Sequence, residues 1–213
     1  MTFSSILIMK NTIFLAFIFL LTFLNIEKTT AQNFDYQTLK NIEGYRSDAD
    51  TRFNRFLSDA DAPICIAAPI LITSIGYLRK DKKLTEQGLE IGVAFAATVA
   101  ETYILKYAVN RPRPYVTHPD LNPLSEEKSR SFPSGHTSSA FSIATSLSLN
   151  YPKWYVIVPA YAWASATGYS RMYLGVHYPT DVLAGALLGS GTAWLTHFVN
   201  KKWQAKRAKK ITH

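Results

Sequence analysis

The sequence predicts an all-α protein, a bundle of five or six helices embedded in a membrane. Five apolar stretches follow one another in its last two thirds, and charged residues or prolines bound each of them. Their lengths are typical of helices. Lysines and arginines cluster in alternate connections, as they do in proteins that cross a bilayer several times. The stretches are approximately residues 62–78, 89–109, 135–150, 154–170 and 180–199.

Residues 1–31 have the layout of a secretory signal segment. Lys10 precedes an apolar run from Thr12 to Leu24, and small residues lead up to Ala31. This apolar run is shorter than the roughly 20 residues that a membrane-spanning helix needs. We therefore expect cleavage after Ala31, and a retained first transmembrane helix is the alternative. Both interpretations place the chain that follows outside the cytoplasm.

Residues 32–61 are predicted to form an amphipathic lead-in on the extracytoplasmic side. Apolar side chains recur among charged ones in this segment, which favours a helix that lies on the membrane surface. A helix packed against the rest of the protein is the alternative interpretation. The apolar positions are Leu39, Ile42, Phe53, Phe56 and Leu57.

Residues 62–200 are predicted to form one helical domain, which a basic cytoplasmic tail follows at residues 201–213. The apolar stretches contain many Ser, Thr, Gly and Ala residues, and the mean hydropathy of the chain is only −0.01. Small residues allow helices to pack closely in lipid, but a soluble bundle also accommodates them. Composition alone therefore leaves both a membrane protein and a soluble secreted protein open.

The placement of positive charge favours the membrane protein. If the first stretch enters from outside, the Arg79–Lys83 cluster, the turn at 150–153 and the tail all lie in the cytoplasm, as the positive-inside rule requires. The same threading places residues 110–134 and 171–179 together on the extracytoplasmic, or periplasmic, face of an inner or plasma membrane. The net charge of +8 then favours contact with anionic lipid headgroups rather than with nucleic acid.

Three cationic side chains at or near these extracytoplasmic segments suit a phosphoryl group. In the transition state of phosphoryl transfer, negative charge spreads over three equatorial oxygens, and fixed donors must meet that charge without reorganising. Arg113 and Arg171 offer planar forks that bind two phosphate oxygens at once, while Lys106 offers a compact point charge. We expect these three residues to bind phosphate.

Ser134 and Gly135 are predicted to complete the phosphate site. They precede a run of small and apolar residues, from Thr137 to Leu149, that is predicted to be a helix. The free backbone N–H groups at a helix start and the positive end of the helix dipole favour an anion. Gly135 has no side chain, so the backbone can approach the anion closely.

Two histidines are predicted to carry out the chemistry. His177 lies four residues before Asp181, at the start of the last helical stretch, so the carboxylate can accept the proton on one imidazole nitrogen. The other nitrogen is then free to attack phosphorus, which makes His177 the candidate nucleophile. His136 is placed to protonate the leaving oxygen and later to deprotonate water. The neighbouring cations disfavour a metal site at either histidine.

These residues are similar to the three signature motifs of the type 2 phosphatidic acid phosphatase and vanadium haloperoxidase superfamily. Each motif is short, but all three occur in order with every catalytic position intact. The resemblance extends over the helical domain. The motifs are Lys106, six residues, then Arg113-Pro114; Pro133-Ser134-Gly135-His136; and Ser170-Arg171, five residues, His177, three residues, then Asp181.

The resemblance implies the helical bundle of this superfamily and a phosphatase that needs no metal or other cofactor and works through a phosphohistidine. On the membrane branch of the family, the implied substrate partner is a lipid phosphate. Phosphatidate, phosphatidylglycerophosphate, an isoprenyl diphosphate and a lipid A phosphate are all candidates. A loop as long as Tyr115–Phe132 often forms a lid or binding site, and we expect it to help choose among them.

Three other functions remain open from the sequence. The first is a soluble non-specific acid phosphatase of the same superfamily. The second is a vanadium haloperoxidase, which would hold vanadate with the same basic residues. The third is a membrane transporter or scaffold without catalysis, and the intact set of His136, His177 and Asp181 argues against it.

Two charged residues have more than one interpretation. Arg111 begins a second Arg-Pro pair two residues before Arg113, so it could share the phosphate contact. Glu101 falls inside a predicted membrane span, where an ionised side chain is costly unless it is paired. We expect a link between Glu101 and a nearby base such as Lys106.

Overall fold

Seven helices account for the regular structure of residues 28–211, the part of the chain that this computed structural model describes; side chains are described for residues 33–207. These residues contain no strand, which confirms the all-α prediction. The predicted signal segment falls mainly on residues 1–27, outside the described part, and its cleavage stays a prediction. The helices are α1 (Lys28–Gly44), α2 (Asp48–Leu78), α3 (Lys82–Val109), α4 (Pro114–Thr117), α5 (Gly135–Asn150), α6 (Trp154–Tyr173) and α7 (Pro179–Ile211).

The helix boundaries depart from the predicted domain limits at both ends of the bundle. Helix α2 runs without a break across the predicted boundary between the lead-in and the helical domain. Helix α1 packs against the rest of the protein, because Leu39 is buried against Leu121 and Tyr178. Of the two interpretations of the lead-in, the structure therefore favours the packed helix. Helix α7 likewise continues into the basic tail.

Three segments of the described chain are long and apolar enough to cross a membrane. They are helix α2, residues Lys82–Thr117 and residues Pro179–Arg207. The stretches that form α5 and α6 were also predicted as spans, but they are not among the three. Helix α5 has only 16 residues, many of them Ser or Thr, and it packs against α2, α3, α6 and α7. The polar side chains of α5 can therefore contact neighbouring helices instead of lipid.

Small and polar side chains fill the interior of the bundle, while large apolar side chains lie on its outside. The hydroxyl oxygens of Thr98 and Ser142 lie 3.0 Å apart between α3 and α5, and those of Thr102 and Ser138 lie 2.8 Å apart. Such an arrangement is unfavourable in water and favourable in lipid. The exposed apolar residues of the three segments include Ile70, Leu71, Val93, Leu183, Leu187 and Trp194.

Glycines allow α5 and α7 to lie in direct backbone contact. A Cβ atom at Gly189 would lie 2.1 Å from the carbonyl oxygen of Ser138, and one at Gly185 would lie 2.7 Å from that of Ser134. The Ser134 N–H donates to the carbonyl oxygen of Asp181 at 3.0 Å. The first turns of the two helices are therefore held side by side.

Helix α3 brings Lys106 to the same end of the bundle. Asn110 ends this helix in the left-handed conformation, with φ of 53°, and its N–H donates to the Lys106 carbonyl oxygen. The Lys106 ammonium donates to the carbonyl oxygen of Arg130 at 2.6 Å. The predicted link from Lys106 to Glu101 is wrong, because the Glu101 carboxylate accepts a hydrogen bond from Thr192 of α7 instead.

Candidate active site

Five of the predicted site residues line a cavity of about 410 Å³ at the end of the bundle where α3 and α6 finish and α5 and α7 begin: Lys106, Arg113, Gly135, His136 and His177. Ser134, Arg171 and Asp181 are buried and are not among its lining residues. Its polar lining is formed by Asp61, Thr102, Lys106, Arg113, Glu127, Ser129, Gly135, His136, Ser139 and His177. Its apolar lining comes from α2 and α3. The apolar residues are Ala62, Ile66, Phe95, Val99 and Tyr103. The cavity therefore joins a charged region to an apolar wall.

His177 and Asp181 form the buried pair that their spacing predicts. Nδ1 of His177 lies 3.5 Å from Oδ2 of Asp181, and both side chains are almost completely buried. This distance is long for a hydrogen bond, and no other atom of the described residues forms one with Nδ1. Asp181 is fixed from several sides, because Oδ2 also accepts from the hydroxyl of Ser131 and, at 3.0 Å, from the Tyr178 N–H.

The other imidazole nitrogen of His177 faces a cation. Nε2 lies 3.3 Å from a terminal nitrogen of Arg113. Because a guanidinium can only donate hydrogen bonds, Nε2 must present its lone pair, and the ring proton belongs on Nδ1. Burial lowers the pKa of His177 to about 3; Asp181 opposes this shift and Arg113 adds to it. The ring is therefore neutral at neutral pH, and its free lone pair lies on Nε2.

The two predicted phosphate-binding arginines are buried and point to one region. Arg113 donates to the carbonyl oxygens of Ser129 and Val176, each at 2.8 Å. Arg171 donates to the hydroxyl of Ser58. Buried cations are strongly disfavoured unless an anion accompanies them. Among the residues that the structure describes, no cluster of His, Cys, Asp and Glu is placed to hold a metal ion.

Glu127 supplies the anion that these arginines need. One oxygen of its carboxylate forms an ion pair with Arg171, and the other lies 3.8 Å from Arg113. Burial raises the pKa of Glu127, but Arg171 and Arg113 lower it by more, so the net pKa lies below its ordinary value and the carboxylate stays ionised. Its position marks the place where a phosphate could meet both arginines. The sequence placed Glu127 only within the loop between motifs.

The start of α5 contributes to the site through Gly135 and His136. Both residues line the cavity, and the Lys106 side chain passes close to Gly135. Ser134 is fully buried and does not line the cavity, and its contact with a phosphate stays a prediction. Its hydroxyl accepts a hydrogen bond from the Thr137 hydroxyl at 2.8 Å and from the Thr137 N–H, which makes it the cap of the helix.

Arg111 lies behind the site rather than in it. Its guanidinium donates to Asp181 at 2.7 Å and to Asp35 at 2.8 Å, and it stacks on the ring of Tyr178 with 4.0 Å to the centroid. Arg111 is not among the residues that line the cavity, whereas Arg113 is. The geometry therefore assigns the two neighbouring arginines different tasks. Sequence reasoning left Arg111 open and missed Asp35.

Comparison with known proteins finds similarity to proteins that are named as phosphatases. The chain is 37% identical over 75 residues to the lipid A 4'-phosphatase of Bacteroides thetaiotaomicron, covering 35% of this chain and 33% of that one. It is 33% identical over 116 residues to an undecaprenyl-diphosphatase of Sulfolobus acidocaldarius, covering 54% and 56%. The chain thus spans between a third and little more than half of these curated relatives.

A solved structure extends the similarity to nearly the whole fold. The crystal structure of a transmembrane PAP2-type phosphatidylglycerolphosphate phosphatase from Bacillus subtilis matches with a TM-score of 0.72 and 28% identity. The match covers 90% of this chain and 95% of that one. The family model described as PAP2 superfamily matches residues 87–205, more than half of the chain. The chain therefore belongs to the PAP2 superfamily.

Proposed function

We propose that this protein is a phosphatase that hydrolyses a phosphate monoester or diphosphate of a membrane lipid, without a metal, through a phosphohistidine on His177. The cavity is the observation that carries the proposal, because the cationic region around His177 adjoins an apolar wall. A cavity of this kind suits a molecule with a phosphate at one end and hydrocarbon at the other. A small soluble ester would leave the apolar wall without a partner.

The names of the relatives support this class of substrate. They refer to lipid A, to undecaprenyl diphosphate and to phosphatidylglycerolphosphate. These molecules differ in headgroup but share a phosphate attached to an apolar body. The described cavity combines charged residues, which suit a phosphate, with an apolar wall, which suits hydrocarbon.

In the first step, the Nε2 lone pair of His177 forms a bond to phosphorus while the bond from phosphorus to the leaving oxygen breaks. Burial and Arg171 lower the pKa of His136 to about 4. The negative charge of a bound phosphate favours the protonated form of His136, which gives its proton to the leaving oxygen. Asp181 stabilises the positive charge that develops on the ring of His177. Arg113 and Arg171 bind the equatorial oxygens of the phosphoryl group. These oxygens replace the Glu127 carboxylate as the partner of the two arginines.

In the second step, water attacks the phosphohistidine. His136, now neutral, takes a proton from the water as the new phosphorus–oxygen bond forms. The phosphorus–nitrogen bond breaks and its electron pair returns to Nε2 of His177. Inorganic phosphate leaves, and both histidines regain their starting protonation.

The proposed location of the reaction is the extracytoplasmic face of the membrane. The cluster Arg79–Lys83 and the basic end of α7 lie at the opposite end of the bundle from the motif residues in the chain threading. The positive-inside rule assigns such clusters to the cytoplasm. Lipid substrates would then reach the cavity from the outer leaflet.

Phosphate release by the detergent-solubilised protein tests the proposal. The assay contains EDTA and compares phosphatidate, phosphatidylglycerophosphate, an isoprenyl diphosphate, a lipid A phosphate and a soluble monoester. We expect release from at least one lipid, and a loss of at least about 1,000-fold in kcat for His177→Ala, because loss of the nucleophile removes the covalent route. His213→Ala, at the far end of the chain, serves as the matched histidine control.

The outcomes separate the possible functions. Release from the soluble ester alone would replace the proposal by a non-specific acid phosphatase. Release that EDTA abolishes would overturn the metal-free mechanism. A folded protein that releases no phosphate from any compound would overturn the enzyme proposal, and halide oxidation with added vanadate would then test the haloperoxidase reaction.

A further inference from the structure

The N-terminal helix α1 contributes a buried carboxylate to the back of the site. Asp35 is 1% exposed. One of its oxygens accepts the N–H of Thr180 at 3.0 Å, and the other accepts the Thr180 hydroxyl at 2.5 Å and a guanidinium nitrogen of Arg111 at 2.8 Å. Asp35 lies outside the three motifs and outside residues 87–205, which the family model matches.

Arg111 joins Asp35 to the catalytic carboxylate. One terminal nitrogen donates to Asp35, and the other donates to Asp181 at 2.7 Å and to the Thr180 hydroxyl at 2.7 Å. The ring of Tyr178 covers the face of the guanidinium. A guanidinium is planar and rigid, so fixing one end of its fork fixes the direction of the other.

Thr180 provides a second path from Asp35 to the same place. Thr180 precedes Asp181 in the first turn of α7, where backbone N–H groups have no partner within the helix. By accepting the Thr180 N–H, Asp35 does the work of a capping residue supplied by another helix. It therefore holds both the backbone beside Asp181 and the arginine that binds its side chain.

We propose that Asp35 is a positioning residue of this site, which acts through Arg111 and Thr180 to orient Asp181 toward Nδ1 of His177. The proposal rests on the proposed function, since its purpose is to hold the nucleophile in the reactive tautomer. Helix α1 is then part of the active site, although it lies far from the motifs in sequence. Asp35 itself touches no reacting atom.

Kinetics of Asp35→Asn test this placement. The variant keeps the shape of the side chain but loses the charge that fixes Arg111. We expect kcat to fall by about 10-fold or more while KM changes by less than about twofold, because the phosphate-binding groups stay in place. Asp48→Asn is the matched control, since Asp48 is an exposed aspartate of the neighbouring helix.

A double-mutant cycle separates positioning from general stability. In the Asp181→Asn background, Asp35→Asn should reduce kcat by less than about twofold, because the residue through which it acts is already impaired. An equal reduction in both backgrounds would overturn the proposal. If Asp35→Asn does not fold, Asp35→Glu replaces it in the same cycle, because it keeps the charge but displaces the carboxylate.

The tautomer of His177 gives a readout that does not depend on activity. In protein labelled with ¹⁵N-histidine, the signals of His177 are those missing from His177→Ala. We expect Nδ1 to carry the proton in the wild type, and Asp35→Asn to move population toward the Nε2–H form. If the wild type releases no phosphate, the proposed function fails and these spectra still test Asp35. Unchanged spectra and unchanged kcat would overturn the role of Asp35 alone.

Discussion

At the scale of single residues, burial decides the state of His177. Withdrawal from water disfavours the imidazolium and lowers the pKa to about 3, while Asp181 provides only partial compensation. Arg113, at 3.3 Å from Nε2, adds to the cost of a second positive charge. Burial thus keeps the histidine neutral, and the arginine that we propose to bind the phosphate adds a smaller contribution.

This state leads to a prediction about pH. A histidine with the ordinary pKa near 6.5 loses most of its neutral form by pH 5, and a reaction that needs this form slows by roughly 30-fold. Because pH 5 still lies above the pKa of His177, at about 3, its ring stays neutral there. In a bell-shaped profile of kcat/KM, corrected for substrate ionisation, we expect the acid limb below about pH 5. The alkaline limb belongs to His136, which must be protonated. Burial and the nearby Arg171 lower the pKa of His136 to about 4, so we expect this limb on the acid side of neutrality as well.

The control is the pH profile of kcat/KM for Asp181→Asn, corrected for substrate ionisation in the same way. This variant should lower the whole profile without moving its acid limb toward neutral pH, since loss of the carboxylate removes the group that favours the imidazolium. An acid limb of the wild type between pH 6 and 7 would contradict the assignment of His177 as the buried nucleophile.

Local spacing predicted five residues that line the cavity, because the motifs fall at helix ends that the fold brings together. It could not predict their partners. Asp35 meets Thr180 across 145 positions of sequence, and Glu127 meets Arg171 across 44. Such pairs are set by tertiary packing. Ser134 precedes α5 as the sequence predicted, and its side chain caps that helix.

At the scale of helices, the contact of α5 with α7 sets the distance between the two segments that contain the proposed catalytic histidines. His136 lies in the first turn of α5, and Asp181 lies in the first turn of α7. The backbones touch because Gly185 and Gly189 have no side chain. Close backbone contact at small residues is the usual way in which helices associate in lipid.

Gly189→Ala should therefore destabilise the protein. Its Cβ would lie 2.1 Å from the carbonyl oxygen of Ser138, and backbone atoms cannot move aside without separating the helices. We expect a loss of at least about 2 kcal/mol, at the upper range for overpacking. Thermal denaturation in detergent, followed by size-exclusion chromatography, measures the shift.

Gly191→Ala is the matched control two residues away. A Cβ there meets no atom within 4 Å. Replacing glycine by alanine inside a helix stabilises it by about 0.5–1 kcal/mol, so this variant should melt at the wild-type temperature or above. Equal melting temperatures for the two variants would show that the contact of α5 with α7 is not as close as described.

The sequence predicted which segments are helical better than it predicted where the helices begin and end. The apolar stretches all lie within helices, but the predicted start of the helical domain falls next to Pro63, which lies inside α2 along with Pro69. Proline usually interrupts a helix by removing one hydrogen bond. In a packed membrane helix, neighbouring groups can satisfy the freed backbone, so α2 continues.

At the scale of the whole molecule, the distribution of polarity is inverted relative to a soluble bundle. Hydroxyl pairs and alanines fill the centre, and the large apolar side chains lie outside. Three segments are suited to cross a bilayer. The mean hydropathy of the chain is near zero, because it averages the polar interior residues with the apolar outer ones. Their separation in space requires the fold.

The orientation of the bundle gives the last prediction, which cysteine labelling in intact cells can test. The chain contains one cysteine, Cys65, and it is 1% exposed, so the wild type should react little with a maleimide that cannot cross membranes. Lys128→Cys places a thiol in the loop beside the site, and Lys83→Cys places one at the opposite end; both positions are exposed. They form a matched pair of exposed lysines.

If the basic clusters lie in the cytoplasm, the Lys128→Cys protein should be labelled in intact cells, and the Lys83→Cys protein only after the cells are permeabilised. The reverse pattern would place the cavity in the cytoplasm and require substrates of the inner leaflet. Labelling of both without permeabilisation would contradict a membrane-spanning arrangement. The orientation thus decides which leaflet supplies the lipid, because the phosphate of an embedded lipid reaches only the cavity on its own side.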